Sequence, residues 1–322
     1  MKLDIVIVNY RTPDMVLDAV DSLVGDPTLP DGTRLLVVDG ASGDDSADRL
    51  ATGIAARDAG ERVRFLPLTV NGGFAYGNNR GIEFLEADGT IADYILLLNP
   101  DTVARQGAVA ALAAFMEAHP RAGIAGSRLE DPDGTAQACA FRFPNPLGEF
   151  ESEIRLRAAS RLLSRWTYVP QVNDAPIRVD WVSGASFIIR RDMARQIGMM
   201  SEDYFLYYEE VDYCLRAARA GWECWHVPQS RVVHLVGQST NVTRKDTRLP
   251  RRPAYWFESR RRYFLSNHGR SYAVMADLAW VAGFGLRRVR KAIRPGDDVP
   301  PRLFRDFLSH SAIRRRHGAL SR

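Results

Sequence analysis

The segment Tyr94-Ile95-Leu96-Leu97-Leu98-Asn99-Pro100-Asp101 decides the fold class. Its run of apolar residues is the strongest strand signal in the chain, and the change to Asn99-Pro100-Asp101 marks the end of that strand. In open α/β sheets, ligands collect at the carboxyl ends of the strands. These polar positions are therefore the first candidates for a binding site.

Similar apolar runs alternate with amphipathic stretches on the amino-terminal side. Strands are predicted at 5–8, 35–38 and 63–66, and helices at 47–59, 74–85, 106–119 and after Thr12-Pro13, where proline suits a first helical turn. This alternation predicts an α/β fold with a mostly parallel central sheet flanked by helices. We place the end of this half at residue 127.

The remaining chain predicts a second half and an extension. Strand-like runs at 179–182 and 185–189 are separated by Ser183-Gly184, and a helix is predicted from Glu209 to Ala220. We expect residues 128–243 to complete the domain that begins at residue 1. Residues 244–322 form a basic, mainly helical C-terminal extension.

The composition excludes several classes of protein. With 46% hydrophobic and 25% charged residues among 322, the chain is globular rather than disordered or fibrous. Its 3 cysteines lack a paired metal-ligand spacing, which argues against a disulfide framework or a zinc site and suits a reducing cytosol. The first strand is too short for a signal sequence, and the longest apolar stretch, 272–286, is shorter than the roughly 20 residues that cross a bilayer.

Charge is divided unevenly along the chain. Residues 244–322 hold 20 Lys/Arg against 6 Asp/Glu, whereas the preceding residues hold 23 against 33. This asymmetry predicts an anionic partner for the extension, and a membrane surface and a phosphorylated acceptor both qualify. Nucleic acid is disfavoured, because the first part is acidic and no recognised binding motif is present.

Candidate binding residues follow the predicted strands. They are Asn9, Tyr10, Asp39, Asn71, Asn99 and Asp101. Asp39 has the chemistry to accept hydrogen bonds from a ribose or base, although it also suits a simple turn. The stretch from Asn71 to Gly81 joins a strand to a helix through glycines, so its amides are candidates for diphosphate binding. It is neither a Walker loop nor a dinucleotide fingerprint.

Two further groups have the chemistry of a metal site and a general base. Asp101 is a candidate ligand for Mg²⁺ or Mn²⁺, with a helix N-terminal residue as the alternative. His234 is a candidate ligand or phosphate contact, although a lone histidine is more often structural. Glu209, Glu210 and Asp212 lie in one helical turn. Glu210 is off the face shared by the other two and is the candidate base, with helix-dipole complementarity as the alternative.

In order and spacing, these segments resemble the family-2 inverting glycosyltransferases with the GT-A fold, particularly the bacterial rhamnosyltransferase-like members. The pieces are Val6 to Tyr10, Val37 to Asp39, Asn71 to Ala75, Leu97 to Asp101, Gly184-Ala185, Tyr208 to Asp212, and His234. The resemblance spans residues 4 to about 270.

The resemblance implies roles for individual residues. Asp39 contacts the nucleotide, and Asn71, Gly72, Gly73, Phe74 and Asn79 belong to the donor side, together with Asn9, Tyr10 and Asn99. Asp101 is the final aspartate of the metal-binding motif, with His234 as a further ligand, and Asn99 stands where the stricter motif has its first aspartate. Glu210 matches the catalytic base, with Glu209 and Asp212 as the runners-up.

The implied reaction is a single displacement from a dTDP-, UDP- or GDP-linked sugar to a saccharide or lipid-linked saccharide acceptor. Such an enzyme would act at the cytoplasmic face of the cell membrane in polysaccharide synthesis. A catalytically silent scaffold, suggested by Asn99, and a nucleic-acid-binding protein are the alternatives. A Rossmann dehydrogenase is disfavoured because the glycine fingerprint is missing.

Overall fold

A computed structural model describes residues 1–57, 62–169, 174–235, 249–293 and 299–314. The strands are β1 (Leu3–Asn9), β2 (Arg34–Asp39), β3 (Val63–Pro67), β4 (Tyr94–Leu98), β5 (Thr102–Ala104), β6 (Ala122–Glu130), β7 (Ala140–Phe141), β8 (Ile177–Val179), β9 (Trp181–Val182), β10 (Ser186–Arg190) and β11 (Glu223–His234). The helices are α1 (Pro13–Val24), α2 (Ser46–Ala55), α3 (Gly73–Glu86), α4 (Ala108–Ala118), α5 (Pro146–Ile154), α6 (Arg157–Leu162), α7 (Arg191–Ile197), α8 (Glu209–Arg219), α9 (Ala254–Ile293) and α10 (Leu303–His310).

The chain divides into two compact units. The first contains the described parts of Met1–Phe141, Gln171–Phe205 and Glu209–Thr240, and the second those of Arg142–Pro170, Leu206–Tyr208 and Asn241–Arg322. The expected domain boundary after residue 243 and the expected helix end at residue 59 lie outside the described residues. Our division into 1–243 and 244–322 remains a prediction.

The first unit is built on a 9-stranded sheet with the order β3-β2-β1-β4-β10-β6-β11-β5, in which β8 also pairs with β11. Strands β3, β2, β1 and β4 run parallel, and β10 runs antiparallel between β4 and β6. All five residues of β4 are buried, as expected for a strand covered on both faces. The predicted mostly parallel sheet is therefore confirmed.

Helix α1 shows why these segments cover the sheet. It begins at Pro13, as predicted, and buries Val16, Val20 and Leu23 on one stripe. These side chains join the core with Ile5 and Ile7 of β1. The chain passes from β1 to β2 and β3 on one side and places β4 on the other, so the carboxyl end of β1 is a switch point in strand order.

The second unit packs α5 against α9, which is interrupted at Gly269. Arg260 lies between two buried carboxylates: its guanidinium is 2.9 Å from Glu149 and 2.6 Å from Asp277. Burial by itself lowers the pKa of Arg260, but the two carboxylates outweigh this effect and keep the group charged. Helices were expected in residues 244–322, whereas α5 and α6 were not predicted.

Aromatic residues of the extension form part of the second unit's core. Phe257, Tyr263 and Phe264 are all buried, and the rings of Trp280 and Phe307 stack with centroids 3.7 Å apart. Their interleaving with arginines in the sequence therefore reflects packing in the unit's interior. Within the described residues, no helix is long and apolar enough to span a bilayer.

Candidate active site

Asn9 and Asp39 meet at the carboxyl ends of β1 and β2, where they are paired in register. Asn9 Nδ2 donates to Asp39 Oδ1 over 2.7 Å, and both residues are buried. Ser42 donates its hydroxyl to Oδ1 over 2.6 Å and its backbone N–H to Oδ2 over 3.1 Å. Three donors therefore fix the Asp39 carboxylate at the edge of the sheet.

Ser42 was not predicted as a site residue, although a local signal was present. The Asp-x-x-Ser spacing suits a turn in which the aspartate accepts the N–H three residues ahead. Arg11 reinforces the loop, because its backbone N–H donates to Ser42 Oγ over 3.0 Å. The guanidinium of Arg11 also lies 5.2 Å from the ring centroid of Tyr10. Tyr10 is 42% exposed, so its ring is accessible to a ligand at this edge.

The glycine loop that precedes α3 is held by protein acceptors. Asn71 Oδ1 accepts from the Gly73 amide over 3.0 Å, and the Phe205 carbonyl accepts from the Phe74 amide over 3.0 Å. These two amides are thus already bonded in this conformation. Gly72 precedes them as the helix N-cap residue. The start of α3 is tied to the chain segment that leads towards α8.

Gly73 explains this close approach, because its φ is +87° and an added Cβ would lie 1.8 Å from the Phe205 carbonyl oxygen. We expect Gly73→Ala to lower the free energy of unfolding by about 3 kcal/mol, measured by urea denaturation. Gly89→Ala is the matched control: its φ is +79° but no atom lies within 4 Å of the added carbon. That variant should lose only about 1 kcal/mol, and an equal loss in both would contradict the steric explanation.

Asn79 makes a second connection between α3 and the segment before α8. Its Nδ2 donates to the Met200 carbonyl and to Glu202 Oε1, both over 2.9 Å. The side chain is buried, so its amide hydrogens hold this segment in place. A donor-contacting role for Asn79 remains a prediction.

Asp101 and His234 lie together although 133 positions separate them. His234 is paired with Thr102 in the antiparallel contact between β11 and β5, and its Nε2 is 3.6 Å from Asp101 Oδ1. Gln137 orients the histidine, with Gln137 Oε1 3.2 Å from His234 Nδ1 and Gln137 Nε2 donating to the His234 carbonyl over 2.8 Å. Gln137 was missed because nothing local in the sequence indicates this contact.

The Asp101–His234 pair suits a cation that is shared with a phosphate ligand. It offers a carboxylate oxygen and an imidazole nitrogen at the edge of the sheet where β4 ends. Mg²⁺ is usually bound through one or two carboxylates plus substrate phosphates. Among the described residues, no group of three or more His, Cys, Asp and Glu side chains forms a complete protein cage.

The three acidic residues of α8 have different environments. Asp212 accepts from Arg216 Nε over 2.9 Å, and Arg216 also donates to the Ile197 and Met199 carbonyls, so this pair anchors the preceding loop. Glu209 is buried, and burial together with the neighbouring Glu210 raises its pKa well above the usual range. The protonated form of Glu209 is therefore favoured more than in a solvent-exposed glutamate, whereas Glu210 is only partly buried.

Gly184 brings the two halves of the site together. An added Cβ on Gly184 would lie 3.8 Å from the Phe74 ring and 3.9 Å from Glu210 Cβ. The next residue, Ala185, accepts from the Asn99 amide over 2.9 Å. Glu210, the start of α3 and the end of β4 therefore surround one short stretch of chain. A carboxylate in this position can take a proton from a ligand bound at the carboxyl edge of the sheet.

Comparisons with known proteins identify the family to which the chain belongs. The sequence model described as "Glycosyl transferase family 2" matches residues 4–198. An N-acetylglucosaminyl-diphospho-decaprenol L-rhamnosyltransferase from Mycobacterium tuberculosis is 31% identical over 192 residues, which cover 55% of this chain and 60% of that protein. The chain thus spans about 60% of the length of this relative.

Solved structures share the fold at low sequence identity. GalNAc-T7, crystallised with UDP, GalNAc and Mn²⁺, has a TM-score of 0.61 at 13% identity, covering 91% of this chain and 54% of that one. The mannosyltransferase PcManGT from Pyrobaculum calidifontis, in complex with GDP-Man and Mn²⁺, has a TM-score of 0.55 at 12% identity, covering 92% and 76%.

Proposed function

Since this chain belongs to glycosyl transferase family 2 and has the GT-A fold, we propose that it is an inverting enzyme that moves a sugar from a nucleotide-diphospho-sugar to an acceptor hydroxyl. The supporting observation is the meeting of Phe74 and Glu210 at Gly184. A base on α8 is thereby close to the residues expected to bind the donor. The family match favours this enzyme over the scaffold and nucleic-acid alternatives.

The proposed chemistry assigns one role to each side chain at this edge of the sheet. Glu210 takes the proton of the acceptor hydroxyl as its oxygen attacks the anomeric carbon, and the nucleoside diphosphate leaves in the same step. No glycosyl-enzyme forms. Burial and the neighbouring Glu210 raise the pKa of Glu209 and so favour its neutral form, which reduces charge repulsion beside the base. Asp39, fixed by Asn9 and Ser42, accepts hydrogen bonds from the nucleoside.

Asp101 and His234 are the residues that would hold Mg²⁺ or Mn²⁺. When bound, such a cation neutralises charge on the leaving diphosphate. The proposal is supported by the donor set of the pair and by Mn²⁺ in two proteins of the same fold. The backbone of Asn99 holds the end of β4 in place. Its amide donates to the Ala185 carbonyl, and its carbonyl accepts from the Thr102 hydroxyl.

For the acceptor we propose a saccharide carried on a lipid diphosphate, in synthesis of a cell-surface polysaccharide. The support is the mycobacterial relative, whose name specifies such an acceptor. The enzyme would then work as a peripheral protein at the cytoplasmic face of the membrane. The basic charge of residues 244–322 suits that surface.

A donor panel tests the proposal directly. We expect the purified chain to bind one of the dTDP-, UDP- or GDP-linked sugars in calorimetry with Mg²⁺ or Mn²⁺, and we expect EDTA to weaken that binding at least tenfold. Because proteins of this fold are solved with UDP and with GDP-Man, UDP- and GDP-linked sugars are the first candidates, alongside dTDP-rhamnose. Failure to bind any sugar nucleotide with metal present would favour the scaffold alternative.

A further inference from the structure

The second unit carries an exposed basic segment, residues 155–169, which directly follows α5 and contains α6. We infer that this segment is the surface through which the protein docks on an anionic lipid bilayer. The inference rests on the proposed function in one respect only, namely that the acceptor is carried on a lipid. The segment that meets the lipid lies outside the basic residues 244–322.

The charge of the basic segment has one sign. It contains Arg155, Arg157, Arg161 and Arg165, all exposed, and no aspartate or glutamate. Clusters of this density beside a membrane are attracted to anionic head groups, and the attraction decays within a Debye length of about 10 Å at 0.1 M salt. The segment therefore complements a surface of lipid phosphates.

Large apolar side chains are exposed among these arginines. Leu162 is 81% exposed, Val169 is 51% exposed and Trp166 is 40% exposed. Leucine and tryptophan on a basic segment are typical of elements that lie in the interface between head groups and acyl chains. A soluble anionic ligand would not bury these apolar side chains. Exposed arginines together with exposed apolar residues therefore favour a bilayer over a free phosphate.

The rest of the second unit holds the segment in one conformation. Arg142 donates its backbone N–H to the Tyr168 carbonyl over 2.8 Å, and its guanidinium donates to the Ser164 carbonyl over 3.2 Å. The Tyr168 hydroxyl donates to Glu149 over 2.8 Å. Because these contacts use backbone groups and inward-facing side chains, Leu162 and the arginines are left on the surface.

A second exposed apolar row lies in the same unit. Met275, Leu278, Leu286 and Val289 recur at helical spacing on α9, and each is at least 49% exposed. The helix is joined to the start of the basic segment, because Arg290 donates to the Ile154 carbonyl over 2.7 Å. The unit that carries the segment therefore exposes further apolar side chains.

A second copy of the chain is a poorer occupant for this surface. In a symmetric contact, the same patch meets itself, so arginines would face arginines with no carboxylate from the segment to compensate. An anionic bilayer supplies the missing negative charge. Charge complementarity therefore selects lipid.

Sedimentation of the full chain with vesicles tests the inference without any sugar nucleotide. Wild type should bind phosphatidylcholine vesicles containing phosphatidylglycerol, and pure phosphatidylcholine should bind weakly. Each arginine at such a surface contributes about a fivefold factor in partitioning, so Arg161→Gln with Arg165→Gln should weaken binding about 25-fold. Leu162→Ser should weaken it about tenfold.

The matched control removes two exposed arginines from the first unit, Arg121→Gln with Arg195→Gln, whose side chains are 84% and 56% exposed. It should change binding less than threefold. Equal losses in the two double variants would overturn the inference, as would absence of wild-type binding or a dimer that Leu162→Ser dissociates. Thermal melting checks that each variant is folded. Donor binding, measured separately, reports on the proposed function independently of the vesicle result.

Discussion

Glu210→Gln should lower kcat for glycosyl transfer by about 10³-fold while the donor dissociation constant changes less than threefold. The amide has nearly the same shape but cannot accept the acceptor's proton, so binding is retained and the chemical step is lost. Single-turnover transfer assays and calorimetry with the donor measure the two quantities separately. Normal turnover by this variant would exclude Glu210 as the base.

The neighbouring acids supply matched controls from the same helical turn. Burial and the neighbouring Glu210 raise the pKa of Glu209 and so favour its neutral form, and Glu209→Gln, which places a neutral amide there, should retain kcat within about tenfold. Asp212→Asn should act mainly on stability, because Asp212 is paired with Arg216 over 2.9 Å. If Glu209→Gln were instead as inactive as Glu210→Gln, Glu209 would become the stronger candidate for the base.

Asp101→Asn should weaken metal-dependent donor binding about 100-fold and remove most of the response to Mg²⁺ or Mn²⁺. The reason is that Asp101 is the charged member of the Asp101–His234 pair, and an amide oxygen is a much poorer ligand for a hard cation. Calorimetric titration of donor with and without metal measures the effect. Unchanged metal dependence would remove Asp101 from the proposed cation site.

Asp93→Asn is the control for that experiment. Asp93 directly precedes β4, at the opposite end from Asp101, and its side chain is 59% exposed. Like Asp101→Asn, this substitution removes one negative charge from the first unit. It does so at the end of β4 that lies away from the predicted donor edge. The donor affinity of Asp93→Asn should match that of wild type. The donor affinity of His234→Gln should lie between those of Asp93→Asn and Asp101→Asn.

Much of the first unit was predictable because its signals are local. The apolar run before Asn99 and the proline after Thr12 each specify an element from a few consecutive residues, and β4 and α1 begin where predicted. Parallel strands share a carboxyl edge, so the polar residues that end them were the first candidates for a binding site. Two of these residues, Asn9 and Asp39, are in contact there.

Other features depend on partners that are distant in sequence. The direction of β10 is set by hydrogen bonding to β4 and β6, and neither strand is near it in the chain. The segment that contains α5 and α6 lacks a clear period and belongs to the second unit because α5 packs on α9. No local pattern of residues encodes such pairings.

The sequence alone therefore determined the alternation of strands and helices up to α4, the edge of the sheet that carries the polar residues, and the three acids of α8. Only the tertiary structure decided which acid is buried, which is paired and which lies beside Gly184. It also placed His234 against Asp101 and Gln137 against His234. The physical reason is that hydrophobic periodicity acts within one element, whereas desolvation and ion pairing depend on whatever the folded chain brings within a few ångströms.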